Sequence, residues 1–96
     1  MEIIKTKKEN ELCIVLQGRL DTTTAPQLEA ELELEGITAL VLDFSELSYI
    51  SSAGLRVLLA TQKVMNKQGE MLLRGVNEDI MEVFDITGFS DILTIE

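Results

Sequence analysis

Histidine is absent from this sequence. The commonest general base and a frequent metal ligand are therefore missing, and no nucleophile has an evident proton acceptor beside it. Cysteine occurs once, as Cys13, so no disulfide can close within the chain and no paired-cysteine motif is available. Cys13 lies in the apolar run Leu12-Cys13-Ile14-Val15-Leu16, where a buried structural thiol is expected rather than a reactive one. Tryptophan is missing too. Phe44, Tyr49, Phe84 and Phe89 are the only aromatic residues, so aliphatic side chains must fill most of the interior. Basic residues are scarce: 8 Lys and Arg stand against 17 Asp and Glu, a formal net charge of −9. That balance argues against nucleic acid, which needs clustered Lys and Arg, and against an anionic membrane surface. It permits a basic protein partner, and it serves solubility equally well. No apolar run approaches a membrane span and no signal-peptide core opens the sequence, so a cytoplasmic location is expected. There is no glycine-rich phosphate loop and no cluster of metal ligands, so neither cofactor nor catalysis is expected.

What is present is an alternation of short apolar runs and helical patterns. The 96 residues are expected to form one domain, residues 1–96, with 46% hydrophobic residues to supply its core. Glu2 to Lys7 and Glu11 to Leu16, joined by the polar turn Lys8-Glu9-Asn10, read as a hairpin. Leu20 to Pro26 leads into a helix with a threonine at its N-cap and Pro26 in its first turn, where a missing N–H costs nothing. Leu28 and Leu32 share one face of that helix. Glu29, Glu31, Glu33 and Glu35 form a solvated face, and Gly36 is expected to stop it. Ile37 to Phe44 is dense enough in apolar residues for a strand buried on both faces. Ser52 to Lys67 carries Leu55, Leu58, Leu59, Gln62 and Met65 at a 3.6-residue period. Glu70 to Arg74 is a short strand, Asn77 caps a helix through Ile86, and Ile92 to Ile95 closes the chain as a fifth strand. The order ββαβαβαβ predicts an α/β fold: a five-stranded mixed, mostly parallel sheet with three main helices and right-handed crossovers.

The stretch Leu40 to Leu59 draws the site to itself. It reads as buried strand, a polar loop through Asp43, Ser45, Glu46 and Ser48, and a helix start at Ser51-Ser52. Open α/β sheets place their sites at the C-terminal ends of strands. A helix start offers free N–H groups and a positive dipole end, where a negative group is tolerated. Simple helix capping by Ser51 or Ser52 is the plainest use of such serines. Asp21 and Asp43, each expected to follow a strand, could meet at one end of the sheet, although such residues more often cap loops.

Four short motifs, taken together, resemble the STAS domain family and its bacterial anti-sigma factor antagonists. They are Gly18-Arg19-Leu20-Asp21, Leu42-Asp43-Phe44, Ile50-Ser51-Ser52-Ala53-Gly54-Leu55 and Phe84-Asp85-Ile86-Thr87-Gly88-Phe89. The resemblance spans nearly the whole chain. It implies a STAS-like sheet flanked by helices, without catalysis of its own, that switches between protein partners. Unphosphorylated members bind an anti-sigma factor that is also a serine kinase, freeing the sigma factor. That kinase phosphorylates a serine at the helix start and the complex separates; a metal-dependent serine phosphatase resets the switch. The family pattern around the serine is Asp-Ser-Ser/Thr-Gly-Leu-Gly, and aligning Gly54-Leu55 places the acceptor at Ser52, with Ser51 the second choice. Ser51 stands where aspartate is usual, Ala53 where a second hydroxyl is usual and Arg56 where glycine is usual. The resemblance implies a partner surface of Asp21, Thr22, Thr23, Ser51, Ser52, Ala53, Gly54, Leu55 and Arg56. Arg56 could pair with a phosphate on Ser52, contact the partner, or simply face solvent. The alternative within the same family is a constitutive subunit of a transport or signalling scaffold, without phosphorylation.

Overall fold

A computed structural model describes residues 1–96. The elements are β1 (Glu2–Lys8), β2 (Glu11–Leu20), α1 (Ala25–Glu31), β3 (Ala39–Ile50), α2 (Ser52–Met65), β4 (Glu70–Arg74) and α3 (Glu78–Thr87), followed by a 3-10 turn at Phe89–Asp91. The strands form one sheet in the order β1-β2-β3-β4. β1 runs antiparallel to β2, as the hairpin reading predicts, and β2, β3 and β4 run parallel.

Sequential parallel neighbours joined by helices have a simple consequence. Right-handed crossovers that all step in one direction place their helices on one face of the sheet. Burial follows that rule. Leu12, Ile14 and Leu16 of β2, Leu40, Leu42 and Phe44 of β3, and Met71 and Leu73 of β4 are fully buried. The residues between them, Cys13, Val15, Val41 and Leu72, are only half-buried. The expectation that helices cover both faces therefore fails, and Cys13 lies on the uncovered face rather than in the core. The core joins the covered face to Leu28 of α1, Leu58 and Met65 of α2, and Ile80 and Phe84 of α3. Phe44 and Phe84 meet at 6.4 Å between ring centres, in a tilted arrangement.

Three boundaries differ from expectation. First, the sheet has four strands, not five: Ile92 to Ile95 contributes one parallel bridge, Leu73 to Ile95. The Leu73 N–H donates to the Thr94 carbonyl at 2.9 Å and the Glu96 N–H to the Leu73 carbonyl at 2.9 Å. The 3-10 turn takes the first half of the expected strand's donors: the Ile92 and Leu93 N–H groups donate to the Phe89 carbonyl at 3.0 and 2.8 Å. Second, β3 does not stop at Phe44 but continues to Ile50 through the expected polar loop. Its pairing with β2 carries register shifts between Val15 and Gln17 and between Gly18 and Arg19. Buried positions consequently fall at Phe44, Leu47 and Ile50, a spacing of three that hides the strand from a two-residue pattern. Third, α1 ends at Glu31 rather than near Gly36. Lys5 of β1 reaches that end, its Nζ 3.4 Å from the Glu31 carbonyl and 3.2 Å from carboxylate oxygens of both Glu31 and Glu33. A cation among the last carbonyls suits a helix C-terminus. Gly36, with φ 78°, forms the turn into β3 instead.

Candidate functional site

The site is built where β2 and β3 end together. Leu20 lies level with Ile50, and the Ser51 N–H donates to the Leu20 carbonyl at 2.9 Å. That bond ties the start of α2 to the end of β2. Ser51 is the N-cap of α2: its backbone is extended and its hydroxyl accepts a long bond of 3.5 Å from the Gly54 N–H. Its carbonyl accepts the first helical bond, from the Leu55 N–H at 3.0 Å. Ser51 is half-buried, whereas Ser52, the first residue of the helix, is exposed and its hydroxyl has no protein partner. Adjacent serines thus sit in different environments, one within the cap and one on the surface.

Gly54 allows this approach. A methyl group at that position would lie 2.8 Å from Cγ of Leu20 and 2.9 Å from Cγ1 of Ile50, closer than carbon atoms pack. The helix therefore seats on the strand ends only because residue 54 has no side chain. Leu55 is buried beside it. Gly54 and Leu55 shape the site from below and offer almost no surface of their own.

The loop before α1 forms the second wall. One carboxylate oxygen of Asp21 accepts from the backbone N–H groups of Thr23 at 3.0 Å and Thr24 at 3.1 Å, and from the Thr24 hydroxyl at 3.2 Å. The other lies 3.7 Å from Nε of Arg19. Asp21 therefore closes the Thr22–Thr24 turn and makes no bond to either serine. The threonine expected to cap α1 is Thr24, but its hydroxyl donates to the Arg19 carbonyl at 2.7 Å rather than capping the helix. Chiefly the Thr24 N–H, joined by the Thr23 N–H, the Thr24 hydroxyl and the nearby Arg19, holds the Asp21 carboxyl below its ordinary value, against desolvation, which is the second-largest influence. A carboxylate with a depressed folded pKa stabilises above its unfolded value and loses that contribution as pH falls through the folded one. The Thr23 and Thr24 amide resonances are accordingly expected to hold constant at neutral pH. They should move together only in acid, with a midpoint below the usual aspartate range, and in Asp21→Asn that transition should vanish. A midpoint at or above the ordinary value would contradict this geometry.

Asp43 does not join Asp21. It lies inside β3, level with Val15, while Asp21 follows Leu20, so about 15–20 Å of strand separates them. Asp43 accepts from the Ser45 hydroxyl at 2.6 Å and the Ser45 N–H at 2.9 Å, which lowers its pKa. No paired-carboxylate centre is formed, and the two residues do not make an acid/base pair.

Between α1 and α2 runs an open groove lined by Thr22, Pro26, Glu29, Ala53, Arg56 and Val57, among others. The structure thus brings Thr22, Ala53 and Arg56 to one groove. Ser52 does not line it; it precedes Ala53 in the chain. Arg56 is exposed, one helical turn beyond Ser52, and belongs to none of the molecule's ion pairs. A further exposed pair stands on the other side. Arg19 lies 4.1 Å over the Tyr49 ring, and Tyr49 remains 41% exposed. Sequence reasoning left these two out of the surface, because only the displaced β2–β3 register sets Arg19 opposite Tyr49. An aromatic ring held in water by a guanidinium is a common anchor for another protein.

The sequence profile of the STAS domain matches residues 2–96. The chain belongs to the STAS domain family. Its relatives include BtrV of Bordetella bronchiseptica, a candidate anti-sigma factor antagonist, 40% identical over 99% of this chain and 85% of BtrV. The anti-sigma-B factor antagonist of Listeria monocytogenes is 36% identical over 97% of this chain and 85% of its own length. Among solved structures the same fold occurs in SpoIIAA of Bacillus. Its unphosphorylated form has a TM-score of 0.77 at 18% identity, covering 99% of this chain and 87% of that one. Its phosphorylated form also has a TM-score of 0.77, at 19% identity, covering 99% and 91%. Within the STAS family, this domain thus sits with the anti-sigma factor antagonists, whose role is binding rather than turnover. No helix of the chain is long and apolar enough to cross a membrane.

Proposed function

We propose that this STAS domain is an anti-sigma factor antagonist that binds an anti-sigma factor serine kinase when unmodified and releases it when Ser52 is phosphorylated. One observation carries the reading: the Ser52 hydroxyl is exposed and unpartnered at the first position of α2, while Ser51 beside it is held in the cap. A phosphate adds about −1.5 to −2 charges and three acceptor oxygens at pH 7. At a helix start it meets free N–H groups and the positive dipole end, so the fold tolerates it. The equal likeness of this chain to both phosphorylation states of SpoIIAA is in keeping with that. Against a partner packed on the groove, the same charge is repelled or stranded without water. The switch then acts on binding and leaves the fold in place, and a serine phosphatase restores the unmodified form. Asp21, Thr22, Thr23, Ala53 and Arg56 frame the docking surface around Ser52, with Arg19 and Tyr49 as added anchors.

Intact mass with site mapping tests this directly. Purified protein, incubated with ATP and lysate of the native host, is expected to gain one phosphate, mapped to Ser52, and Ser52→Ala is expected to gain none. An unmodified wild-type chain, in a lysate that phosphorylates a control substrate, would sink the switch and leave a constitutive STAS subunit.

A further inference from the structure

We propose that the sheet face not covered by helices is a second docking surface, for a basic amphipathic helix of a protein partner. The register places Ile4 beside Val15, and Cys13, Val41 and Leu72 side by side on adjacent strands, all on the side away from the helices. These apolar side chains are half-buried by one another, except Ile4, which is 50% exposed. Where Ala39 interrupts the stripe, a depression of about 240 Å³ opens between Thr6, Lys8, Glu11, Cys13 and Val41, with Lys8 level with Glu11. That is room for one long apolar side chain entering from outside.

Charge names the occupant. Glu2, Glu11 and Glu70 rim the stripe and form no ion pair, with Lys8 the only unpaired cation among them. Arg74, on the same face, is taken by Glu96 at 3.3 Å. An apolar stripe inside an acidic rim complements a helix with an apolar stripe and Lys or Arg on its flanks. A second copy of this chain fits poorly. It would bring the same acidic rim on a molecule already at −9. The stripe also measures only about 300 Å² from ordinary strand spacing and rise, against roughly 800 Å² per partner in a standard interface. Basic side chains reaching over the rim enlarge the contact for a helix but not for another acidic sheet. This surface lies on a face of the sheet, whereas Ser52 stands at the strand ends, so the two could be occupied independently.

Cys13, the only cysteine, reports from the middle of the stripe. The test uses the whole chain and a capped synthetic helix with a leucine stripe and lysine on its other faces. With the peptide about tenfold above its dissociation constant, Cys13 is covered in all but about a tenth of molecules, so its reaction with an aromatic disulfide reagent should slow roughly tenfold. Val41→Thr with Leu72→Thr is expected to weaken the peptide about tenfold or more, with the melting temperature followed as a check on the fold. Should that variant unfold, Glu11→Lys with Glu70→Lys reverses the rim without touching the stripe and is expected to abolish protection. The proposal is overturned by unchanged Cys13 reactivity. Equal protection from a scrambled or glutamate-bearing peptide overturns it too, as does protection that appears merely on concentrating the protein, which would mark self-association.

Discussion

Ser52→Asp is expected to weaken binding of the anti-sigma factor kinase by about 30- to 1,000-fold, from roughly 2–4 kcal/mol of charge left unpaired in a packed interface. The same substitution should leave the melting temperature unchanged or raise it slightly. A carboxylate at a helix N-terminus contributes about 0.3–1 kcal/mol when exposed, which adds at most a few degrees for a domain of this size. Ser52 permits such separation because it is exposed and its backbone already begins α2. Titration calorimetry on the purified kinase and a thermal melt supply both numbers. Wild-type affinity for the aspartate variant would remove the switch. A loss of affinity together with a loss of several degrees would instead mean that the change had disturbed the helix start. Arg56 offers an internal control. One turn along α2 and free of other partners, it can pair with a charge on Ser52 at helical spacing. Arg56→Ala should therefore lower the melting temperature of the phosphorylated form more than that of the unmodified form.

Much of this site was legible in the residues, and the parts that were not share a cause. Helix capping at Ser51-Ser52 and the place of Leu55 on an apolar helical stripe are local signals. That Gly54 and Leu55 lie buried behind the surface instead of on it depends on packing against Leu20 and Ile50, which is not local. Asn77 is equally local: it caps α3 with a 2.8 Å bond to the Ile80 N–H, as its position before the helix predicts. The end of β3 was hidden, since register shifts in its pairing with β2 break the two-residue alternation from Phe44 to Ile50. The same shifts set Arg19 against Tyr49, while Asp21 stands away from Asp43 because β2 runs on to Leu20, well past Val15, which is level with Asp43. The missing fifth strand and the uncovered sheet face are likewise not local. They depend on strand order, and the apolar density of Ile37 to Phe44 looks the same whether its second face meets a helix or only neighbouring side chains.

The second large effect is expected at Gly54. Gly54→Val should lower stability by about 3 kcal/mol, the upper part of the range for overpacking a core, with the low helix propensity of valine offering no offset. The reason is geometric: even the first carbon of a side chain falls within 2.9 Å of both Leu20 and Ile50, and each of these is almost fully buried. Gly54→Ala is the graded case. Alanine gains up to about 1 kcal/mol over glycine inside a helix, while overpacking costs about 1–3 kcal/mol. The net loss should be about 0–2 kcal/mol, up to several degrees in a melt. Ordinarily glycine to alanine within a helix stabilises, so the sign alone tests the contact. Partner affinity should fall with it, because relief requires α2 to lift from the strand ends, and lifting carries Ser51 and Ser52 away from Thr22. Leu20→Ala in the same chain would make room, because it removes the Cγ and Cδ2 atoms that the added carbon meets. The double variant should then lose less than the sum of the singles by on the order of 1 kcal/mol, the coupling of residues in direct contact. An alanine variant that melts above the wild type, or a pair of losses that simply add, would mean that the strand ends do not hold the helix start where the switch requires it.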